Sequence, residues 1–170
     1  VGSIAIRNAT ELDFCGVYIS LATAPDWGGN QLAEGRRIAS GEQLIIEDIP
    51  FGTYDLRTED CAVQTVDVEF AVTIDGDKAW TIEQAAVRVE NDSDEAICGV
   101  YARTTDAPGV GWGNNRLDVD DLEPGAEVNI PLAQTEWDLR AVACNPDFTP
   151  AEQLATPLEG IVIWAPEFEE

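Results

Sequence analysis

The chain has 170 residues, 45% of them hydrophobic and 25% charged, a balance that excludes wholesale disorder. Its net charge of −24, from 33 acidic against 9 basic residues, makes nucleic acid and anionic lipid unfavourable partners. No apolar run approaches the roughly 18 residues of a membrane span, and with no His in the chain every triad, dyad or metal site built on imidazole is excluded.

In chain order, alternation with period two predicts strands over 3–9, 14–22, 42–49, 53–60, 64–73 and 78–83. A second series follows over 86–91, 96–104, 126–132, 136–143, 153–159 and 161–165. Val, Ile, Thr, Tyr, Phe and Trp crowd these segments, as pleated half-buried surfaces prefer. Ser40-Gly41, Phe51-Gly52, Asp75-Gly76 and Pro124-Gly125 supply turns between them. No sustained helical stripe interrupts the pattern.

The two series are copies. An offset of 83 residues carries Cys15-Gly16-Val17-Tyr18 onto Cys98-Gly99-Val100-Tyr101, and Cys61 onto Cys144. The same offset carries Asn8 onto Asn91, Ala24-Pro25 onto Ala107-Pro108, and Tyr54-Asp55-Leu56-Arg57 onto Trp137-Asp138-Leu139-Arg140. Two residues then enter the second copy, after which Trp27-Gly28-Gly29-Asn30-Gln31-Leu32 matches Trp112-Gly113-Asn114-Asn115-Arg116-Leu117. Agreement at so many separated points in one order indicates duplication. The fold class expected is all-β: two tandem small β-sandwiches, immunoglobulin-like in architecture, over 1–84 and 85–170. No Gly/Ser-rich or Pro-rich linker separates them, which predicts a short, stiff junction through Ile82 to Val87.

Units of this size bury a modest core and commonly need a staple. Four cysteines allow three pairings. The repeat favours Cys15 with Cys61 and Cys98 with Cys144, since each unit then closes itself; a four-Cys metal site lacks CxxC spacing and His partners. Disulfides place the protein outside the reducing cytoplasm. No basic and apolar leader opens the chain. It begins at Val1 and contains no Met, so a processed end is expected, with signal-peptide removal the simplest cause.

The inventory of chemistry points away from an enzyme. Lys78 is the only Lys, and no GxSxG, P-loop or GxGxxG occurs. Carboxylates abound, but two small β units leave little room for a deep glycosidase cleft. Several other constellations stand out. Trp27 with Asn30, and Trp112 with Asn115, fall in the longest irregular segment of each copy. They form either an aromatic platform for a sugar or partner, or a cap folded onto the sandwich end. Asp55-Leu56-Arg57 and Asp138-Leu139-Arg140 set an acid and a base on one face of a strand. The plain expectation is a same-strand ion pair, with a charge-reading site as the alternative. Asp92, Asp94 and Glu95, with Asp118, Asp120 and Asp121, are candidate Ca²⁺ ligands, and the opposing expectation is a solvated acidic surface. Asp75 and Asp77 form a weaker acidic pair. Asn8-Ala9-Thr10 and Asn91-Asp92-Ser93 read as N-glycosylation acceptors, or as turn residues after the first strand.

Trp-Gly-x-Asn-x-Leu followed by Tyr/Trp-Asp-Leu-Arg resembles the pattern of small secreted bacterial β-domains of unassigned function. It covers the middle of both copies. The resemblance implies an exported, non-catalytic β domain and no ligand; the paired cysteines are not part of it.

The expectation from sequence is therefore a secreted or cell-surface structural protein acting by protein–protein contact, through self-association or with another surface protein. It would serve as a subunit of a fibre, sheath or surface layer. The apolar terminal strands, with Ile4 and Ile6 at one end and Ile161 and Ile163 at the other, are the expected assembly strands. The tail Glu167-Phe168-Glu169-Glu170 is the alternative of a solvated end. A glycan-binding or calcium-dependent adhesion module is the second expectation.

Overall fold

The computed structural model describes residues 1–105 and 111–170, so the Ala107-Pro108 copy of the repeat lies outside the described residues. The chain divides into two compact units, Val1–Gln84 and Ala85–Glu170. Each is a β-sandwich closed by one disulfide.

In the first unit β1 (Gly2–Ala9) lies between β3 (Gln43–Ile49), which it pairs antiparallel, and the start of β6 (Asp77–Glu90), which it pairs parallel. The facing sheet is antiparallel, with β4 (Gly52–Asp60) between β2 (Phe14–Leu21) and β5 (Thr65–Ile74). The second unit repeats this plan. The end of β6 pairs with β8 (Glu127–Ala133) and, in parallel, with β11 (Ile161–Trp164). Opposite, β9 (Glu136–Ala143) lies between β7 (Ile97–Thr104) and β10 (Ala151–Pro157), both antiparallel.

The core follows from alternation, which sends every second side chain inward. Ile4, Ile6, Phe14, Val17, Leu56, Val66, Ile74, Trp80 and Ile82 fill the first sandwich. Val87, Val89, Ile97, Val100, Leu132, Trp137, Leu139 and Trp164 fill the second. Tyr54 and Trp137 hold equivalent positions and make the same hydrogen bond four residues back, Tyr54 Oη to the Pro50 carbonyl at 2.9 Å and Trp137 Nε1 to the Ala133 carbonyl at 2.9 Å.

The segments expected as separate strands over 78–83 and 86–91 are one continuous strand, β6. Its inward phase slips once, from Trp80 and Ile82 to Ala85, Val87 and Val89, and the slip falls at the unit boundary. Cys15 bonds Cys61 and Cys98 bonds Cys144, each pair with Cα atoms 4.8 Å apart. Both lie within one sheet rather than across the sandwich. Cys15 and Cys98 occupy register irregularities in β2 and β7, and Cys61 and Cys144 immediately follow β4 and β9.

The terminal strands differ from each other. β1 is an interior strand paired on both sides, with Ile4 and Ile6 wholly buried, so neither is an assembly residue. At the other end β11 pairs with β6, its one strand partner among the described residues, and leaves Ile161 and Ile163 58% and 59% exposed. Alternation reports which face of a strand is buried and is silent on how many neighbours it has. The tail is tied back by a bridge from Thr149 to Glu169, the Thr149 N–H donating to the Glu169 carbonyl at 2.8 Å.

Candidate functional site

Cys-Gly-Val-Tyr prepares one surface in each unit. The Cys closes the disulfide, the Val enters the core, and the Tyr faces outward directly opposite an Arg, Tyr18 against Arg57 and Tyr101 against Arg140. The Gly lets the Tyr ring lie on the sheet. A Cβ on Gly99 would come within 2.6 Å of the Tyr101 ring, and one on Gly16 within 3.0 Å of both Tyr18 and Glu59.

The long loop of each unit is clipped onto this sheet by its Asn. Asn30 Oδ1 accepts from Val17 N at 3.0 Å and Leu32 N at 3.0 Å, and its Nδ2 donates to the Cys15 carbonyl at 2.9 Å. Asn115 does the same with Val100 N at 2.9 Å, Leu117 N at 3.1 Å and the Cys98 carbonyl at 2.9 Å. One amide thus satisfies backbone groups on a strand edge and in its own turn, so Asn30 and Asn115 position the loop.

The clipped loops bring each Trp over the outer face of the sheet. Trp27 and Trp112 are both half-buried, neither freestanding nor tucked into the core. Arg57 lies between two rings, 5.4 Å from Tyr18 and 5.6 Å from Trp27, and Phe70 packs 6.1 Å from Trp27. In the second unit Trp112 is flanked by two guanidinium groups, Arg103 at 4.3 Å and Arg140 at 5.6 Å. Guanidinium over aromatic faces is favourable at such distances. Burial lowers the Arg57 pKa, with Tyr18 beside it acting in the opposite sense.

The copies diverge in their acids. In the first unit the buried Glu59 carboxylate holds both partners of the cluster, pairing with Arg57 and accepting from Tyr18 Oη at 3.0 Å. Its register partner is Gly16; the register partner of Gly99 is Val142. Val142 therefore stands in the second unit where Glu59 stands in the first. A pocket of about 160 Å³ lies there, lined by Tyr101, Trp112, Arg140 and Val142. Arg140 instead approaches Glu152 on β10, at 3.8 Å; its buried Nε, like that of Arg57, makes no hydrogen bond among the described residues.

Among the described residues the Asp and Arg of each Asp-Leu-Arg triplet do not pair with each other, although Arg57 does pair within its own strand, with Glu59. Leu56 and Leu139 are core residues, and the Arg partners are Glu59 and Glu152. Each Asp instead secures a bulge in the neighbouring strand, Asp55 Oδ1 accepting from Ala71 N at 2.9 Å and Asp138 Oδ1 from Ala155 N at 3.0 Å. Asp138 also accepts from Arg103 Nε at 3.1 Å.

Asn8 and Asn91 are wholly buried, so they are not glycan acceptors in the folded protein. Asn8 Nδ2 donates to the Leu12 and Ile38 carbonyls at 2.6 and 3.0 Å, and Asn91 Nδ2 to those of Glu95 and Leu122 at 2.8 Å each. Thr10 and Ser93 hydroxyls donate to their respective Asn Oδ1 at 2.7 Å, which gives N-x-S/T a turn-building role. Asp92, Asp94, Asp118, Asp120 and Asp121 are exposed and Glu95 half-buried; among the described residues no group of three acidic side chains gathers as a metal site. Asp77 accepts from Ser3 Oγ at 2.9 Å and Asp75 pairs with Lys78 at 3.2 Å. A wider pocket of about 500 Å³ opens in the first unit between loop 31–38 and β3, with Arg36, Arg37 and Glu42 among its walls.

Tyr18, Glu59, Tyr101, Arg103 and Val142 were not singled out by sequence reasoning, although both Tyr residues sit in the clearest repeat. The signal was the mismatch between the copies at Glu59 and Val142, legible once the strands are in register.

No protein-family model matches the chain, and no curated protein matches it in sequence. Among solved structures it is similar to the Bacillus anthracis TIE protein, at 8% identity and a TM-score of 0.33, over 99% of this chain and 34% of that one. It is also similar to a Streptococcal ancillary pilin, at 8% identity and a TM-score of 0.30, over 98% of this chain and 62% of that one. The chain thus spans about a third of the first protein's length and less than two thirds of the second's.

Proposed function

We propose that this is an extracellular or cell-surface protein without catalytic activity, which works by contact with other polypeptides as a subunit of a fibre, sheath or surface layer. The observation that carries the reading is the duplicated cluster on the outer face of each disulfide-bearing sheet: Trp27, Arg57 and Tyr18 in one unit, and Trp112, Arg140, Arg103 and Tyr101 in the other. Trp, Tyr and Arg are the residues that dominate contact energies between proteins, because they combine large rigid area with hydrogen bonds. All four cysteines are paired, which suits an oxidising environment. Exposed Ile161 and Ile163 on the edge strand β11 offer a second contact by strand addition.

Light scattering and electron microscopy at physiological salt, with and without Ca²⁺, test the reading. Assemblies well above the 18.4 kDa chain are expected. A monomer at every concentration under both conditions would contradict it. Assembly that requires Ca²⁺ would bring the acidic clusters into the contact. The second reading, a glycan-binding adhesion module, is favoured by the Trp112-walled pocket, and glycan binding lost in Trp112→Ala would support it.

A further inference from the structure

We infer that the second unit's pocket is a receptor for a side-chain carboxylate, supplied by a Glu or Asp of a neighbouring polypeptide. The first unit shows what the site is built around. There Tyr18 and Arg57 converge on one carboxylate, that of Glu59. The second unit keeps the Tyr and the Arg in the same register, as Tyr101 and Arg140, with the Trp beside the Arg, as Trp112. It replaces the acid with Val142, whose side chain has no oxygen to receive their hydrogen bonds. Where Glu59 lies in one unit, the other has a pocket walled by those same residues.

Charge and size narrow the occupant. The second unit adds a cation, because Arg103 faces Trp112 where Ser20 stands in the first unit. Arg103 is neutralised by Asp138 at 3.1 Å, which leaves Arg140 with the exposed Glu152 at 3.8 Å, beyond hydrogen-bond distance. A charge-assisted bond from a guanidinium to a carboxylate is about twice as strong as a neutral one. The pocket's volume of about 160 Å³ is well below the roughly 300–1,000 Å³ of sites that enclose small molecules. It fits one acidic side chain, with Val142 against the methylene stem. The occupant's source rests on the contact reading above; the carboxylate preference does not.

The test titrates the full chain with N-acetyl-glutamate N-methylamide and, separately, with the glutamine analogue, following the Arg140 Nε–H and Trp112 indole signals by NMR. The glutamate compound should bind at least about tenfold more tightly than the glutamine one, despite the chain's net negative charge. Val142→Glu, which copies the first unit's internal acid, should abolish the shifts while the remaining amide spectrum stays folded. Glu152→Gln should strengthen binding several-fold by removing a competing acid. Equal response to both compounds, or unaltered binding in Val142→Glu, would overturn the inference. Tighter binding of methyl glucuronide than of the glutamate compound would overturn the polypeptide occupant in favour of an acidic glycan. Light scattering of the same samples separates the two readings: glutamate binding by a protein that never associates would contradict the contact reading and leave the carboxylate pocket standing.

Discussion

At the residue scale, Asn8 and Asn91 hold more of the fold than their position suggests. Each donates once to a carbonyl four residues ahead and once to a carbonyl about thirty residues away, and accepts from its own turn. Replacing Asn91 by Ala would remove four hydrogen bonds, two to the Glu95 and Leu122 carbonyls and two from Ser93, at a cost of about 2–4 kcal/mol, measurable by denaturant unfolding. Glu69 on β5 is a smaller case with a definite sign. Its side chain is exposed, yet partial desolvation by its neighbours raises its carboxyl pKa, so ionising it has a small cost to the folded state. Its contribution is favourable while it is protonated and is lost as pH rises through the carboxylate range. Glu69→Gln is therefore expected to raise Tm at neutral pH and to leave it unchanged in acid; a pH-independent difference would contradict this. The sequence displayed Asn8 and Asn91 plainly, but a tripeptide pattern cannot say whether its Asn points to water or to the core. Burial decided the matter against glycosylation.

At the element scale, the strands were legible because inward Ile, Val, Leu and Trp alternate with polar positions over nearly their full lengths. The cysteine pairing was legible because duplication demands equivalent closure. Neighbour relations were not, since β1 reads the same whether it is an edge or, as observed, an interior strand. The bulges in β5 and β10 were also hidden. Ala71 and Ala155 adopt φ of 56° and 51°, left-handed backbone that costs an L-residue about 1–2 kcal/mol. Asp55 and Asp138 hold them there. Ala155→Gly should accordingly be neutral or stabilising by up to about 1 kcal/mol, whereas Asp138→Ala should cost about 1–3 kcal/mol and release Arg103 as well. Equal destabilisation by both substitutions would contradict the bulge account. Each disulfide spans 46 residues, a loop whose closure contributes about 4 kcal/mol by chain entropy. Paired Cys98→Ser and Cys144→Ser should lower the second unit's stability by that order and free the Asn115 clip.

At the scale of the whole molecule, a net charge of −24 on 170 residues sets self-repulsion against compactness and against association. Salt shortens the Debye length from about 30 Å at 0.01 M to about 8 Å at 0.15 M, so Tm should rise over that interval; a flat response by calorimetry would show that the acids do not act collectively. The proposed contact with another polypeptide would have to overcome the same repulsion, and the aromatic–guanidinium faces, above all the one that Val142 leaves without its own acid, carry the groups that would do so. The most direct test is light scattering across a dilution series at physiological salt, comparing wild type with Trp112→Ala. The wild-type mass should fall toward 18.4 kDa only on dilution, while Trp112→Ala stays at that mass throughout. Identical masses for the two proteins at every concentration would contradict the account.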